Sequence, residues 1–174
     1  MIIWINGAFG VGKTETALKL HKRTDNSFVY DPENLGSFII KNIPSDINNE
    51  EDFQDYSLWR ELNVSFIKYI EEKYEGILII PMTIVEPKYL YEIIGSLRNQ
   101  GMVVKHYTLM ASKETLLKRL NGRGDGANSW AACQIDRCLK GLENKIFQQH
   151  INTEDISIEE VVEKIALMAN IKLI

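Results

Sequence analysis

The chain alternates between short apolar runs and longer segments whose apolar residues recur every three or four positions. The runs are typical of strands buried on both faces of a sheet, and the longer period is typical of amphipathic helices. The runs predict strands at residues 2–6, 27–31, 76–80, 102–109 and 150–153. The period predicts helices at residues 12–23, 52–74, 87–101, 112–122 and 129–142, one after Pro32 and one from Ser157. This alternation predicts an α/β fold of three layers, a five-stranded parallel sheet with helices on both faces.

Three segments carry more detailed predictions. The apolar residues sharing one face of the segment 52–74 are Phe53, Tyr56, Trp59, Leu62, Phe66 and Ile70. In the last helix, Ser157 and Glu160 have the spacing of a capping box. Its predicted inward residues are Val161, Val162, Ile165 and Met168. Residues 36–49 have no clear period, and Pro44 with its polar neighbours indicates a turn there.

The first apolar run leads directly into the pattern G-x-x-x-x-G-K-T at residues 7–14. Its glycines allow a tight turn that brings backbone N–H groups close to phosphate oxygens, and the following helix adds its positive end. Lys13 can reach the β- and γ-phosphates, and the Thr14 hydroxyl can bind Mg²⁺. A chance turn is the alternative, but the strand before and the helix after favour a P-loop. The predicted site for ATP and Mg²⁺ comprises Gly7, Ala8, Phe9, Gly10, Val11, Gly12, Lys13 and Thr14.

Composition narrows the class of protein. The 174 residues predict a single P-loop kinase-like domain over residues 1–174. The chain is 45% hydrophobic and 25% charged, with a net charge of −4, so no basic stripe is available for nucleic acid. Cys133 and Cys138 have no zinc-site spacing and are read as reduced thiols. Neither a signal peptide nor a run long enough to span a bilayer is evident, which predicts a cytoplasmic protein.

In parallel sheets, ligands bind at the carboxyl ends of the strands. Asp31 follows the second strand, where it could accept a proton from a substrate hydroxyl or hold Mg²⁺ through water. Its alternative role is to cap the helix that starts at Pro32. The third strand ends at Pro81 and lacks the aspartate of a Walker B site. Thr83 is the polar residue at that strand end, either a substrate contact or a turn residue.

Three arginines lie near a glycine-rich loop that is predicted to form a mobile lid over residues 120–130. Phosphoryl transfer spreads negative charge that a mobile arginine can stabilise when such a lid closes. Arg123 lies within the loop and Arg137 on the following helix, and both are candidate catalytic residues. Arg119, before the loop, is a candidate for stacking on adenine. The alternative for each arginine is a solvated surface charge.

The acceptor is predicted to bind against residues 32–75. Trp59 offers an aromatic face for a ring and Arg60 a guanidinium for an anionic group. The alternative is that Trp59 belongs to the core and that Arg60 is solvated. The three histidines, His21, His106 and His150, show no ligand spacing and are assigned no role.

Nearly the whole chain resembles the bacterial tunicamycin-resistance protein family. The matching segments are I-I-W-I-N-G-A-F-G-V-G-K-T (2–14), V-Y-D-P-E (29–33), D-F-Q-D-Y (52–56), L-W-R (58–60), I-L-I-I-P-M-T-I-V (77–85), T-L-M-A-S-K-E-T-L-L-K-R-L (108–120), N-S-W-A-A (128–132) and Q-I-D-R-C (134–138). The resemblance implies an ATP-binding P-loop protein of the nucleoside- or nucleotide-kinase type that protects cells from tunicamycin, a nucleoside antibiotic bearing uracil and sugars. It also implies peripheral membrane contact through the C-terminal helix. That helix carries several glutamates and no strongly basic face, which does not favour anionic lipid.

Two functions follow from these observations. The first is ATP-dependent phosphoryl transfer to a small-molecule hydroxyl, with Lys13, Asp31, Arg123 and Arg137 at the reaction centre. The second is nucleotide-dependent sequestration of the antibiotic without chemical turnover. A candidate base and an arginine lid favour the first function, whereas the absence of an acid on the third strand favours weak or absent turnover.

Overall fold

The computed structural model describes residues 1–126, 128–147 and 149–174. The strands in this part of the chain are β1 (Ile2–Gly7), β2 (Ser27–Val29), β3 (Ile77–Pro81), β4 (Val104–Met110) and β5 (His150–Asn152). They form one sheet in the order β2-β3-β1-β4-β5, and each neighbouring pair is parallel. The predicted five-stranded parallel sheet is thereby confirmed.

Strand β1 is the centre of the sheet and of the core. Ile2, Ile3, Trp4 and Ile5 are each 0% exposed. Ile2 aligns with Leu78 on one side and with Val104 on the other. Both faces of β1 are covered, which explains why its sequence is continuously apolar rather than alternating.

Helices cover both faces of the sheet, as predicted. Their bounds are α1 (Lys13–Lys22), α2 (Pro32–Asn42), α3 (Ser57–Lys73), α4 (Pro87–Leu90), α5 (Ser96–Asn99), α6 (Lys113–Gly122), α7 (Trp130–Cys133), α8 (Ile135–Leu142) and α9 (Ile158–Ala169). A π-helical turn, Tyr91–Gly95, joins α4 to α5. Short 3₁₀ turns occur at Ser45–Ile47, Phe53–Asp55 and Lys145–Phe147. Among the described residues, no helix is long and apolar enough to cross a membrane.

Helix α2 extends further than the sequence indicates. It continues through Gly36 to Asn42, although residues 36–49 show no apolar period. A Cβ at Gly36 would lie 2.5 Å from the Phe53 ring, so the glycine allows the 3₁₀ turn Phe53–Asp55 to pack against the helix. Because Asp52 caps that turn, helix α3 starts at Ser57 rather than near residue 52.

The inward face of α3 differs from the predicted one. Leu62 and Phe66 are 38% and 49% exposed. Trp59 is buried as predicted, and the other buried residues of the helix are Arg60, Asn63 and Ile67. Asn63 accepts a hydrogen bond from the Tyr30 hydroxyl at 2.8 Å, so a polar residue occupies the inner stripe at little cost. Apolar spacing alone therefore identified only part of the inner face.

Helix α9 confirms most of its prediction. Ser157 and Glu160 form the capping box, and Val161, Val162 and Ile165 are buried. Met168 is 45% exposed, so the prediction of its burial was wrong. The inward stripe of α9 continues through Ala166 and Ala169, which turns Met168 away from the sheet.

Candidate nucleotide and acceptor site

The start of the phosphate loop (residues 7–14) is fixed to the segment that follows β3. The Asn6 side-chain oxygen accepts hydrogen bonds from the Gly7 and Ile84 N–H groups, both at 2.8 Å. Its amide nitrogen donates to Ile84 O at 2.8 Å. The Thr83 hydroxyl donates to Gly7 O at 2.9 Å. All these groups are buried, so the loop begins from a rigid base.

Two glycines show how closely the phosphate loop packs. Gly7 has φ 148°, and a Cβ there would lie 2.7 Å from Leu109 O. Gly10 has φ 82°, and its Cβ would lie 2.9 Å from Leu116 O. Both positions therefore require glycine for backbone conformation and for space. The loop has the tight glycine-rich geometry that a phosphate cradle needs.

Lys13 is buried at the first turn of α1. Its Nζ donates to Ala8 O at 3.0 Å and lies 5.5 Å from the centroid of the Phe9 ring. Burial lowers the pKa of Lys13 to about 8, and the nearby Glu33 opposes that shift. A poorly hydrated cation in this position gains strongly from an incoming anion.

A cavity of about 150 Å³ adjoins Lys13. The residues that line it are Phe9, Gly10, Gly12, Lys13, Thr14, Glu15, Asp31, Glu33, Pro81 and Arg123. Asp31 caps helix α2, because its carboxylate accepts a hydrogen bond from Glu33 N at 3.0 Å. Asp31 therefore both caps helix α2 and lines the cavity beside the phosphate loop.

Glu33 is a site residue that the sequence reasoning missed. Although Glu33 is largely exposed, partial desolvation raises its pKa, the Asp31 carboxylate raises it further, and Lys13 opposes both effects. The signals in the sequence were its position two residues after Asp31, on the turn of helix that Asp31 caps, and its place at the end of the V-Y-D-P-E segment. The structure thus supplies a pair of carboxylates facing the phosphate loop.

A second cavity, of about 370 Å³, lies on the other side of the loop. Its lining residues are Gly10, Val11, Gly12, Glu15, Arg119, Arg123, Ile156, Ser157 and Ile158. The Arg119 guanidinium donates to Thr153 O at 2.7 Å and to Thr153 Oγ1 at 3.1 Å, which fixes its plane. Ile156 and Ile158 were not predicted, because they lie far along the chain after a short strand. Two apolar side chains and a guanidinium are suitable for a flat base.

Arg123 and Arg137 are placed differently. Arg123 lies in the loop after α6, forms an ion pair with Asp125 at 2.8 Å, and lines both cavities. Arg137 on α8 donates to the buried Asp52 at 3.1 Å and does not line the phosphate cavity. The predicted lid over residues 120–130 includes residue 127, which lies outside the described residues, and its mobility stays a prediction.

The structure does not bring Trp59, Arg60 or Thr83 to an open surface. Trp59 is 0% exposed, and its indole N–H donates to Pro32 O at 3.1 Å. Arg60 is 5% exposed, pairs with Glu92, donates to Gln54 O and lies 4.4 Å from the Tyr89 ring centroid. Thr83 is 1% exposed. In this structure each polar group is engaged by the protein itself, and contact of these residues with a substrate stays a prediction.

The parallel sheet, the phosphate loop and the two cavities beside it define a P-loop domain of the kinase-like class. The family described as AAA domain matches residues 2–144. The tunicamycin resistance protein of Deinococcus radiodurans is 34% identical, with a TM-score of 0.84 over 99% of this chain and 96% of that one. The chain belongs to the tunicamycin-resistance family of P-loop proteins.

Other solved structures share the fold alone. A gluconokinase from Sinorhizobium meliloti 1021 is 14% identical, with a TM-score of 0.64 over 97% of this chain and 93% of that one. A shikimate kinase from Bacteroides thetaiotaomicron is 16% identical, with a TM-score of 0.63 over 98% and 99%. No curated protein sequence matches the chain. The fold is thus one that small-molecule kinases also use.

Proposed function

We propose that the protein transfers the γ-phosphoryl group of ATP to a hydroxyl of tunicamycin or of a similar nucleoside antibiotic, and so confers resistance. One observation carries this proposal. Lys13 and Thr14 line the same cavity as the carboxylates of Asp31 and Glu33. Phosphoryl transfer needs a cation that binds the phosphates of ATP. It also needs a carboxylate that positions or deprotonates the attacking hydroxyl.

The residues present fit a nucleoside triphosphate with Mg²⁺. The close-packed glycine loop offers backbone donors, and Lys13 is a poorly solvated cation that no carboxylate of the described residues pairs with. The Thr14 side chain is exposed at the cavity and is available as a metal ligand. No group of three or more His, Cys, Asp or Glu in the described chain could hold a metal by itself. Mg²⁺ would neutralise charge on the phosphates, with Thr14, phosphate oxygens and water completing its shell.

The two carboxylates suit different roles. The Asp31 carboxylate is oriented by its bond to Glu33 N, which fits a group that positions a metal-bound water. Glu33 has a raised pKa, which makes it the better proton acceptor for the attacking hydroxyl. Arg123 would stabilise the transferred charge from above the cavity. Arg137 would reach the site only after its hydrogen bond to Asp52 breaks. We therefore assign its contribution to a conformation in which the lid is closed.

The acceptor would enter between Asp31 and residues 32–75. Trp59 and Arg60 would shape that wall from inside rather than contact the ligand. Arg60 joins the 3₁₀ turn Phe53–Asp55 to the helix segment that contains Glu92. We assign the whole chain, residues 1–174, to a single domain in which residues 120–130 act as the lid.

Sequestration without turnover remains the second candidate, for one reason. Strand β3 ends at Pro81, and Met82, Thr83, Ile84 and Val85 after it are all buried. The position of a Walker B acid is thus filled by core residues. A protein that binds nucleotide and antibiotic, but transfers slowly, would have this arrangement.

Mass spectrometry of the antibiotic separates the two functions. The purified protein is incubated with Mg-ATP and tunicamycin, and we expect a phosphorylated antibiotic together with stoichiometric ADP. The Glu33→Gln variant should bind both ligands without forming product, whereas the Glu61→Gln control on the exposed face of α3 should act like the wild type. Tight binding of an unmodified antibiotic over many equivalents of ATP would establish sequestration instead.

A further inference from the structure

A cavity of about 690 Å³ lies at the start of β4, away from the phosphate loop. It is lined by residues 104–106 of that strand, whereas Gly7 aligns with Leu109 near the other end. Its lining residues are not among those of the two cavities at the phosphate loop. The volume is within the range of sites for small organic ligands.

The charge in this cavity has one sign. Arg98, Lys105 and Lys145 line it, and none of the described lining residues is acidic. The Arg98 guanidinium donates to Val104 O at 2.9 and 3.3 Å, which anchors it to the strand. No ion pair within the described ranges involves any of the three cations. In a chain of net charge −4, such an acid-free group is available to an anion.

A buried histidine belongs to the same cavity. His106 is 6% exposed, and its Nε2 has no hydrogen-bond partner among the described residues. A buried polar atom without a partner is costly, which makes His106 an unusual residue in the lining of a cavity. Burial lowers the pKa of His106 to about 4, and the charges of Arg98 and His150 add to the shift. The imidazole is therefore neutral at physiological pH, and the basic side chains carry the positive charge.

The opposite wall is formed by the π-helical turn Tyr91–Gly95. Turns of this kind occur frequently at functional sites. Tyr91 is 65% exposed and offers an aromatic surface to the cavity, whereas Ile94 behind it is fully buried. A Cβ at Gly95 would lie 3.5 Å from the Tyr91 Cδ1 atom, an ordinary van der Waals contact, so a methyl group fits there.

We propose that this cavity is a second ligand site, separate from the nucleotide site, for a small organic anion. Lys105 and Lys145 bind its phosphate or carboxylate group, with Arg98 beside them. Its apolar or aromatic body packs on Tyr91. His106 belongs to the lining of the cavity and reports on its occupancy.

Nuclear magnetic resonance of the three histidine side chains tests the proposal in the full-length protein. Phenyl phosphate is the probe, and saturating Mg-ADP is present so that the phosphate loop is filled. The His106 imidazole signals should shift in a saturable manner, whereas those of His21 on α1 should not. Inorganic phosphate and benzyl alcohol should each bind at least about tenfold more weakly, because each supplies half of the recognition. Equal binding of either one would contradict an organic anion as the ligand.

Matched variants test the location. Lys105→Gln combined with Lys145→Gln should weaken phenyl phosphate at least about tenfold, whereas Lys41→Gln combined with Lys73→Gln, at exposed positions elsewhere, should not. Gly95→Leu should obstruct the part of the cavity beside Tyr91 and weaken binding, and Gly95→Ala should retain it. No saturable shift of His106 in the wild-type protein, or unchanged affinity in the first double variant, would overturn the proposal. Neither result depends on whether the protein is a kinase.

Discussion

The phosphate loop and the acceptor region (residues 32–75) differ in where their polar side chains find partners. The loop leaves polar groups open to a cavity, whereas the acceptor region pairs them within the protein. The loop is contiguous in sequence, its base is fixed by Asn6 and Thr83, and it leaves Lys13 and Thr14 facing a cavity. The acceptor region is closed from within by contacts between distant residues, among them Arg60 with Glu92. Its outer surface carries exposed apolar side chains, Leu58, Leu62, Phe66 and Tyr69.

This difference separates two kinds of inference from sequence. In the phosphate loop, the spacing of residues along the chain determines the geometry of the site. Glycine conformations and the start of one helix decide where the backbone N–H groups, Lys13 and Thr14 point. In the acceptor region, residue type indicates chemistry but not direction, because partners some thirty residues away decide which side chains are buried. The following predictions test that contrast, from the largest expected effect to the smallest.

Replacement of Glu33 should have the largest effect on turnover. We expect Glu33→Gln to lower kcat by about 10²- to 10⁴-fold, the usual contribution of a positioned general base. ATP affinity should change much less, because Glu33 faces the acceptor side of the cavity. Steady-state kinetics of the variant and of Glu61→Gln measure both quantities. Turnover at the wild-type rate would exclude Glu33 as the base.

Replacement of Lys13 should separate function from stability. Lys13→Met should weaken ATP binding by at least about 100-fold, because the variant loses the one cation buried beneath the phosphates. The ligand-free variant should be more stable by about 1–3 kcal/mol, because burial has lowered the pKa of Lys13 and its charged form is disfavoured in the fold. Calorimetric titration and urea unfolding test the two halves. A less stable variant would contradict the burial argument.

Replacement of Arg60 should affect the fold rather than nucleotide binding. Arg60→Met should destabilise the protein by about 2–4 kcal/mol, because the carboxylate of Glu92 and the carbonyl of Gln54 lose their partner. Lys73→Met on the exposed end of the same helix is the control. Urea unfolding gives the stability and calorimetry gives the ATP affinity of the folded fraction, which should be unchanged. A stable variant with impaired antibiotic binding would restore Arg60 as a substrate contact.

The pH dependence of nucleotide binding should follow Lys13. Below pH 8 the lysine is protonated before ATP binds, so affinity should be nearly flat. Above pH 8 the complex must take up a proton, because the phosphates raise the pKa of Lys13, and affinity should fall by up to about tenfold per pH unit. Calorimetry in buffers of different ionisation enthalpy detects the proton uptake. Lys13→Met should lose this dependence, and a flat wild-type profile up to pH 10 would refute it.

Asp31 should show the smallest effect on stability. Asp31→Asn should change the free energy of unfolding by less than about 0.5 kcal/mol, because asparagine is an equally good helix cap, whereas Asp31→Ala should cost about 1 kcal/mol. Any loss of turnover in Asp31→Asn therefore reports on charge and not on folding. We expect a smaller loss than in Glu33→Gln. Unchanged turnover would leave Asp31 as a cap alone.

Sequence patterns predicted the sheet, its parallel strands and the phosphate loop, because each depends on local apolar runs and on a contiguous motif. They failed for part of the inner face of α3, since Arg60 and Asn63 are buried with distant polar partners. They missed Glu33 because its pKa depends on how α2 packs beside Lys13. They missed Ile156 and Ile158 because only the fold brings that loop to the phosphate loop. The spacing of residues along the chain does not predict contacts between segments that only the folded sheet brings together.

One contact gives the protein an optical probe. Trp130, the first residue of α7, lies 5.1 Å edge-on from the Phe9 ring of the phosphate loop and is 50% exposed. The other two tryptophans, Trp4 and Trp59, are 0% exposed. Collisional quenching of fluorescence by acrylamide therefore reports almost entirely on Trp130. Occupancy of the loop and movement of the segment after α6 become readable in the unlabelled protein.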